Sequence, residues 1–384
     1  MCVGLELGCW IMARWGHRRP PRHAMHIPDG YLSPSTCAAL YAGATPFWYV
    51  ALRRLRRRLD VRLVPLLALF SAFSFVVMLF NIPLPGGTTG HATGVGIAAV
   101  VLGPWGAMLA LSVALLIQAL FFGDGGVTAF GANAFNMAIL GSGVAFVAYR
   151  LLAGGSAITS RRRALAAGVA GYLALNASAL LAALEFGIQP ALYHDATGAP
   201  LFAPYPLSIA VPAMMLGHLT VAGVAELLVS AGIVRWLQKA EPELLAGGVA
   251  GLAREGRGDA VGRLWLGLAA LLVAAPLGLL AAGTAWGEWS PDDFADPAGR
   301  AAITAASGGI APPESVPRGL ARLSSFWTAP FPDYAPSFLK SAGFGYLMSG
   351  MLGTGLSILL GLVIGALLRR GTGSRPPGAG AETG

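Results

Sequence analysis

Charge is what this sequence has least of. Asp, Glu, Lys and Arg make up 11% of its 384 residues, against about 25% in an average soluble protein. So little charge cannot cover the surface of a soluble domain of this size, and the apolar content is too high for a disordered chain. Three cysteines are too few for a disulfide scaffold, and no Cys-x-x-Cys pair exists. A Gly-x-x-x-x-Gly-Lys-Ser/Thr loop is absent, so the chain does not hydrolyse ATP through a P-loop, and there is no His-Glu-x-x-His zinc motif. What is abundant is apolar: 55% of residues are hydrophobic, and the mean hydropathy is +0.65. The composition implies an all-α integral membrane protein with many spans.

Crossing about 30 Å of hydrocarbon takes roughly 20 apolar residues. By that measure spans run over 36–52, 64–81, 94–102, 105–122, 133–149, 165–188, 207–237, 265–284 and 344–368. The third is short and Gly-rich, and reads as a short or partly re-entrant segment. Basic residues then sort the links. Arg53, Arg54, Arg56, Arg57, Arg58 and Arg62 fall between the first two spans, and Arg150, Arg161, Arg162 and Arg163 between the fifth and sixth. Arg235, Lys239, Arg254, Arg257 and Arg263 fall between the seventh and eighth, and Arg369, Arg370 and Arg375 follow the last. The links 82–93, 123–132 and 189–206 hold no Lys or Arg. Basic links mark the cytoplasm, so the first span starts outside and the C-terminus lies inside. The long link 285–343 holds four basic residues, but long links cross largely regardless of charge. The net charge of +8 thus reports orientation in a lipid bilayer, and no nucleic-acid partner is implied.

The spans divide into blocks. Residues 25–240 form a seven-span block, 241–263 a cytoplasmic linker, and 264–370 a two-span block whose outer loop is too long for an ordinary connection. Residues 371–384 read as a disordered tail. In 1–24, Arg14, Arg18, Arg19 and Arg22 follow a short apolar run, the reverse of a secretory signal. They would place positive charge outside, so 1–24 is read as a misassigned upstream extension, with Met25 the true first residue.

Two outer histidines, His26 and His91, are the candidates for chemistry. Each alone reads as a solvated loop residue. They share one membrane face, however, and His26 directly follows Met25. A free amine at Met25, the amide nitrogen of His26 and its Nδ1 can close a five- and a six-membered chelate ring, with His91 adding a fourth nitrogen. Four planar nitrogens suit Ni(II) or Cu(II).

Three motifs carry a resemblance: Met25–Gly30, Gly90-His91-Ala92-Thr93-Gly94, and the run Phe122-Gly-Asp-Gly-Gly-Val-Thr-Ala-Phe-Gly-Ala-Asn-Ala-Phe-Asn-Met137. Together they closely resemble the CbiM/NikM family of substrate-binding membrane subunits (S components) of energy-coupling-factor transporters. The resemblance implies a seven-helix S-component bundle plus two additional transmembrane helices. It also implies a metal site of Met25, His26 and His91. The cargo would be Co(II) or Ni(II), with no resident cofactor and no enzymatic activity. The implied partners are a transmembrane scaffold (T) subunit and cytoplasmic ATPase (A) subunits, and the implied location is a bacterial inner membrane. Ala92 stands where many relatives have Pro. The two-span block resembles the CbiN/NikN companion, mainly through its architecture and Pro332-Asp333-Tyr334.

Oxygen acceptors commonly orient ligating histidines. Asn133, Asn136, Asp124, Thr88 and Thr93 are the candidates; for Asp124 and Thr128, capping of the fifth span is the stronger reading. Within the spans, His218, Asn176, Gln118 and Glu226 are functional by default, although His218 can simply bond a neighbouring helix. Ala68 and Ala72 have helix-packing spacing, read here as chance. The alternative function is an intramembrane serine hydrolase using Ser142 and His218, which needs a direct hydroxyl–imidazole contact.

Overall fold

The structure, a computed structural model, describes residues 26–56, 63–247, 259–281, 283–336 and 338–370. The segment 1–24, Met25, Arg57, Arg58, Arg62, Arg254, Arg257 and the tail lie outside the described residues. Long apolar runs fold as expected into helices: α1 (Pro34–Arg56), α2 (Leu63–Met78), α3 (Val95–Phe122), α4 (Phe130–Ala153), α5 (Arg161–Leu192), α6 (Leu207–Ala240), α7 (Gly262–Leu280) and α8 (Ala342–Arg370). Among the described residues, α3 to α8 are long and apolar enough to cross a membrane, and α2 is a shorter apolar helix. The chain is a multi-pass, all-α membrane protein. Among the described residues one two-stranded sheet forms, the antiparallel hairpin of β1 (Ile82–Leu84) and β2 (Thr88–Gly90), with Pro83 opposite Thr89.

α3 is broken at Gly103, where φ is 70° and ψ is 175°. The limb 95–102 packs Gly96 against Gly171 and Ser230, part-way along α5 and α6. Beyond the break, Trp105 lies under the Arg54 guanidinium at the basic end of α1, 4.8 Å from ring centroid to Cζ. The short limb therefore descends from mid-bundle to the arginine-rich face, and 104–122 climbs back. These limbs are the third and fourth spans of the sequence reading, joined in one kinked element.

Burial ranks the helices. Of the 16 residues of α2, 14 are buried, because α3 covers one side and α8 the other. Gly361 and Gly365 bring the α8 backbone against Ala68 and Val64. Reading Ala68 as chance spacing is therefore corrected: its small side chain admits a helix of the second block. The α5 and α6 leucines 173, 180, 184, 216 and 228 instead face outward, the surface expected against lipid.

The two faces differ. On the arginine-rich face, Gln238 Nε2 donates to the carbonyls of Ile158 (2.6 Å) and Ser160 (2.8 Å). Arg263 Nε donates to Glu241 across the linker at 2.9 Å. On the arginine-poor face, the loop after α7 folds into a cap. Its helices are Pro291–Ala295, Pro297–Ala306 and Arg318–Leu323. Ser290 and Asp293 form a capping box for the first. Trp286, Trp289, Phe294 and Leu320 are buried in one cluster with Tyr31, Phe186 and Tyr205. The second block thus roofs the first.

Candidate metal centre

The stretch 26–33 is held deep under that roof by paired polar contacts. Asn133 clamps Ile27 twice: its Oδ1 accepts from Ile27 N and its Nδ2 donates to Ile27 O, both at 3.0 Å. Gly126 N donates to the same carbonyl at 2.8 Å. Asp29 accepts from Val127 N (3.1 Å), Thr128 N (2.7 Å) and the Thr128 hydroxyl. Gly125 has φ +86°, and a Cβ there would sit 2.9 Å from the Cβ of His26, so only glycine lets this loop lie on the histidine.

His26 and His91 are brought together. Both are buried, their ring centroids 5.2 Å apart and their planes inclined by 64°. His91 Nδ1 donates to Ala92 O at 2.9 Å, which leaves its Nε2 as the lone-pair nitrogen in the neutral ring. Burial, with the His26 ring second, pushes His91 down to about 4, so the ring is neutral at neutral pH. His26 Nδ1 lies 2.8 Å from Asp124 Oδ1. A carboxylate only accepts, so Nδ1 carries the hydrogen, and His26 Nε2 is buried without a partner. Ligation through Nδ1, as the chelate reading has it, requires the ring to leave Asp124.

Asp124 gathers more than His26. Its Oδ2 accepts from the Tyr334 hydroxyl at 2.6 Å and from Gln118 Nε2 at 3.4 Å. Tyr334 stacks on Phe122, with centroids 4.7 Å apart and planes at 17°. Burial, and the neighbouring Asp124 carboxylate, hold the Tyr334 phenol well above its ordinary value, so it remains a donor. The capping reading of Asp124 is replaced by this side-chain network, and Thr128 answers Asp29.

The other candidates divide. Asn133 sits in the centre, but on the backbone of Ile27. Asn136 Nδ2 donates to Glu185 at 2.8 Å while Asn136 borders a small cavity beside the two rings. Thr88 bonds locally to Pro85 O at 3.2 Å. Thr93 turns to Glu226: its N donates at 2.7 Å and its hydroxyl at 3.2 Å. Thr88 and Thr93 therefore make these bonds away from the histidine rings. His218 Nδ1 donates to Met214 O, 2.8 Å away in its own helix, and not to a neighbouring helix; the ring borders the cavity. Ser142 Oγ is buried with no hydrogen-bond partner, so the Ser142–His218 contact of the hydrolase reading is absent.

The cavity beside His26 and His91 measures about 80 Å³. Two groups on its rim were not legible in the sequence. Among the described residues, the π-helical turns Ala134–Gly141 and His218–Ala222 put Asn136, Met137 and His218 on its wall, and a third, Gln118–Phe122, carries Gln118 to Asp124; such turns are frequent at functional places. Glu288, from the roof, lines the cavity with Oε2 buried and unpartnered, and burial pushes its carboxyl well above the carboxylate range. Its only sequence signal was an acid between two tryptophans at the start of the outer loop. Among the described residues, no three His, Cys, Asp or Glu side chains are grouped closely enough to hold one ion.

Residues 26–244 match the family described as the cobalt uptake substrate-specific transmembrane region, CbiM. The chain belongs to the CbiM family. Residues 263–370 match a PDGLE domain. The fused nickel transport protein NikMN of Rhodobacter capsulatus is 60% identical over 90% of this chain and 98% of its own. The cobalt transport protein CbiM of Geobacter sulfurreducens is 36% identical over 67% of this chain and 73% of its own. A crystal structure of a truncated transition metal transporter aligns with a TM-score of 0.53 and 47% identity, covering 56% of this chain and 99% of that one. A family domain thus supplies His26, His91 and Asp124, and a second domain supplies the Tyr334 that holds Asp124.

Proposed function

We propose that this chain is the metal-capturing subunit of an energy-coupling-factor importer for Ni(II) or Co(II). The observation that carries this reading is the burial of His26 and His91 side by side at one small cavity, each with a ring nitrogen to offer. Two imidazoles do not complete a coordination sphere. With the His26 ring turned from Asp124 so that Nδ1 faces the ion, the amine of Met25 and the amide of His26 supply two further nitrogens of the kind these late first-row ions prefer. That set requires Met25 to be the mature first residue. Capture takes place on the arginine-poor, extracytoplasmic face of a bacterial inner membrane, with the C-terminus in the cytoplasm. A transmembrane scaffold subunit and partner ATPases drive delivery inward, because this chain carries no P-loop. The names of the nickel and cobalt relatives support the cargo, and the basic links support the orientation.

Intact mass and metal content of the purified protein test the reading together. A terminus at Met25 with one nickel or cobalt per chain is expected. A terminus upstream of Met25 with stoichiometric metal would refute the amine ligand. Extending the chain by one residue before Met25 is expected to abolish uptake, because it blocks the amine and displaces His26 from the second position.

A further inference from the structure

The roof does more than cover the site. A second cavity, of about 90 Å³, lies between the 123–126 loop, the 28–29 turn and the roof. Asp29, Gly125, Trp289, Trp327 and Asp333 are on its wall, and so is Glu288. Glu288 therefore borders both this cavity and the one beside His26 and His91. The residue is 6% exposed, and its Oε2 has no hydrogen-bond partner.

The turn that puts Glu288 there is built. Trp286 Nε1 donates to Ser307 Oγ at 3.3 Å, Glu288 N donates to Ala285 O at 3.2 Å, and Trp289 O accepts from Tyr31 OH at 2.7 Å. Gly287 has φ +85°, and a Cβ there would lie 2.7 Å from the Phe186 ring. The acid is thus locked between two anchored tryptophans and cannot swing to solvent. A buried carboxyl oxygen without a partner is costly, and a cation passing between the two cavities is the ligand that would satisfy it.

We propose that the second cavity is the antechamber through which a divalent transition-metal ion reaches the histidines, and that Glu288 is the transfer ligand shared by the two chambers. The fused second block then contributes a donor to loading in addition to its roof. This proposal rests on the reading of His26 and His91 as the metal site. An oxygen donor ahead of a nitrogen site is chemically sensible: carboxylates bind these ions more weakly than imidazole does, so the ion moves on.

The test uses the full chain purified in detergent, with Ni(II) presented on a chromophoric chelator. E288Q replaces the carboxyl by an amide that cannot become an anionic ligand, and is expected to slow nickel association about ten-fold, the low end of the loss when groups supporting a metal site are replaced, while one nickel per chain still binds at saturation. E288D keeps the carboxyl and is expected to associate within a few-fold of the unsubstituted protein. Equal association rates for E288Q and the unsubstituted chain would overturn the proposal. If E288Q binds no metal at all, E288D decides: binding at a near-normal rate upholds the transfer role, and no binding refutes it. H91A separates this from the reading beneath it. Stoichiometric nickel binding by H91A overturns the histidine site itself; its loss in H91A beside an unslowed E288Q overturns Glu288 alone.

Discussion

Two buried carboxylates, Glu226 at the start of the short limb of α3 and Asp124 just past the end of its long limb, do different work. Glu226 faces the start of the short limb. Its Oε2 accepts from the backbone N–H of Thr93 (2.7 Å) and Gly94 (2.9 Å), and its Oε1 from Gly96 N (3.2 Å) and Ser230 (2.9 Å). These are the orphan donors of a helix N-terminus, which favour a negative charge, and both oxygens are satisfied. Asp124 instead accepts from side chains of three separate segments, His26, Gln118 and Tyr334, and its network ends on the unpartnered Nε2 of His26. A network that closes on backbone holds a fold; one that ends on an open ring nitrogen leaves something for a ligand to complete.

That contrast is open to attack by mutation. His26→Ala or His91→Ala should abolish nickel or cobalt accumulation by cells while the protein remains inserted at normal abundance; accumulation near the normal level in either variant would show that the open network is not the metal site. Glu226→Ala should act on stability. It strands three buried N–H groups at about 1–3 kcal/mol each, so a large drop in the thermal midpoint in detergent is expected, and an unchanged midpoint would mean that its network is not structural. Asp124→Asn keeps the shape but loses the charge-assisted bond to His26, and nickel affinity measured by competition should fall about 10- to 100-fold, the usual scale for partners of ligating histidines. Tyr334→Phe stands one bond further out. Its effect on affinity should be smaller than about ten-fold, and an effect larger than that of Asp124→Asn would reverse the proposed order of the chain. Ser142→Ala removes an unpartnered hydroxyl and should leave accumulation unchanged; a loss of accumulation would reopen the hydrolase reading.

Much of the bundle was legible because membrane helices announce themselves by length and apolarity. Even the odd 94–102 segment was read as short or re-entrant, since nine residues cannot span. What was misjudged followed from single side chains. Ala68 was set aside because small residues at that spacing are common in an alanine-rich chain, and only the approach of Gly361 gives it meaning. Thr93 lies two residues from His91 and was assigned to it, whereas its hydrogen bonds go to Glu226, a residue over a hundred positions away. Asp124 precedes a helix in sequence and reads as a cap. Its side chain goes to His26 and Tyr334, because three donors at hand outbid one helix start.

By itself, the sequence determined the membrane class, the alternation of basic and base-free links, and the pairing of two histidines on one face. These follow from quantities that add along the chain, namely apolar length, charge and spacing. Tertiary structure alone decided which nitrogen of His26 faces Asp124, where the π-helical turns open the bundle, and that the second block lays Tyr334 and Glu288 over the site. Those choices depend on donors and acceptors from distant segments meeting in a place where water cannot substitute for them, and no local pattern encodes such a meeting.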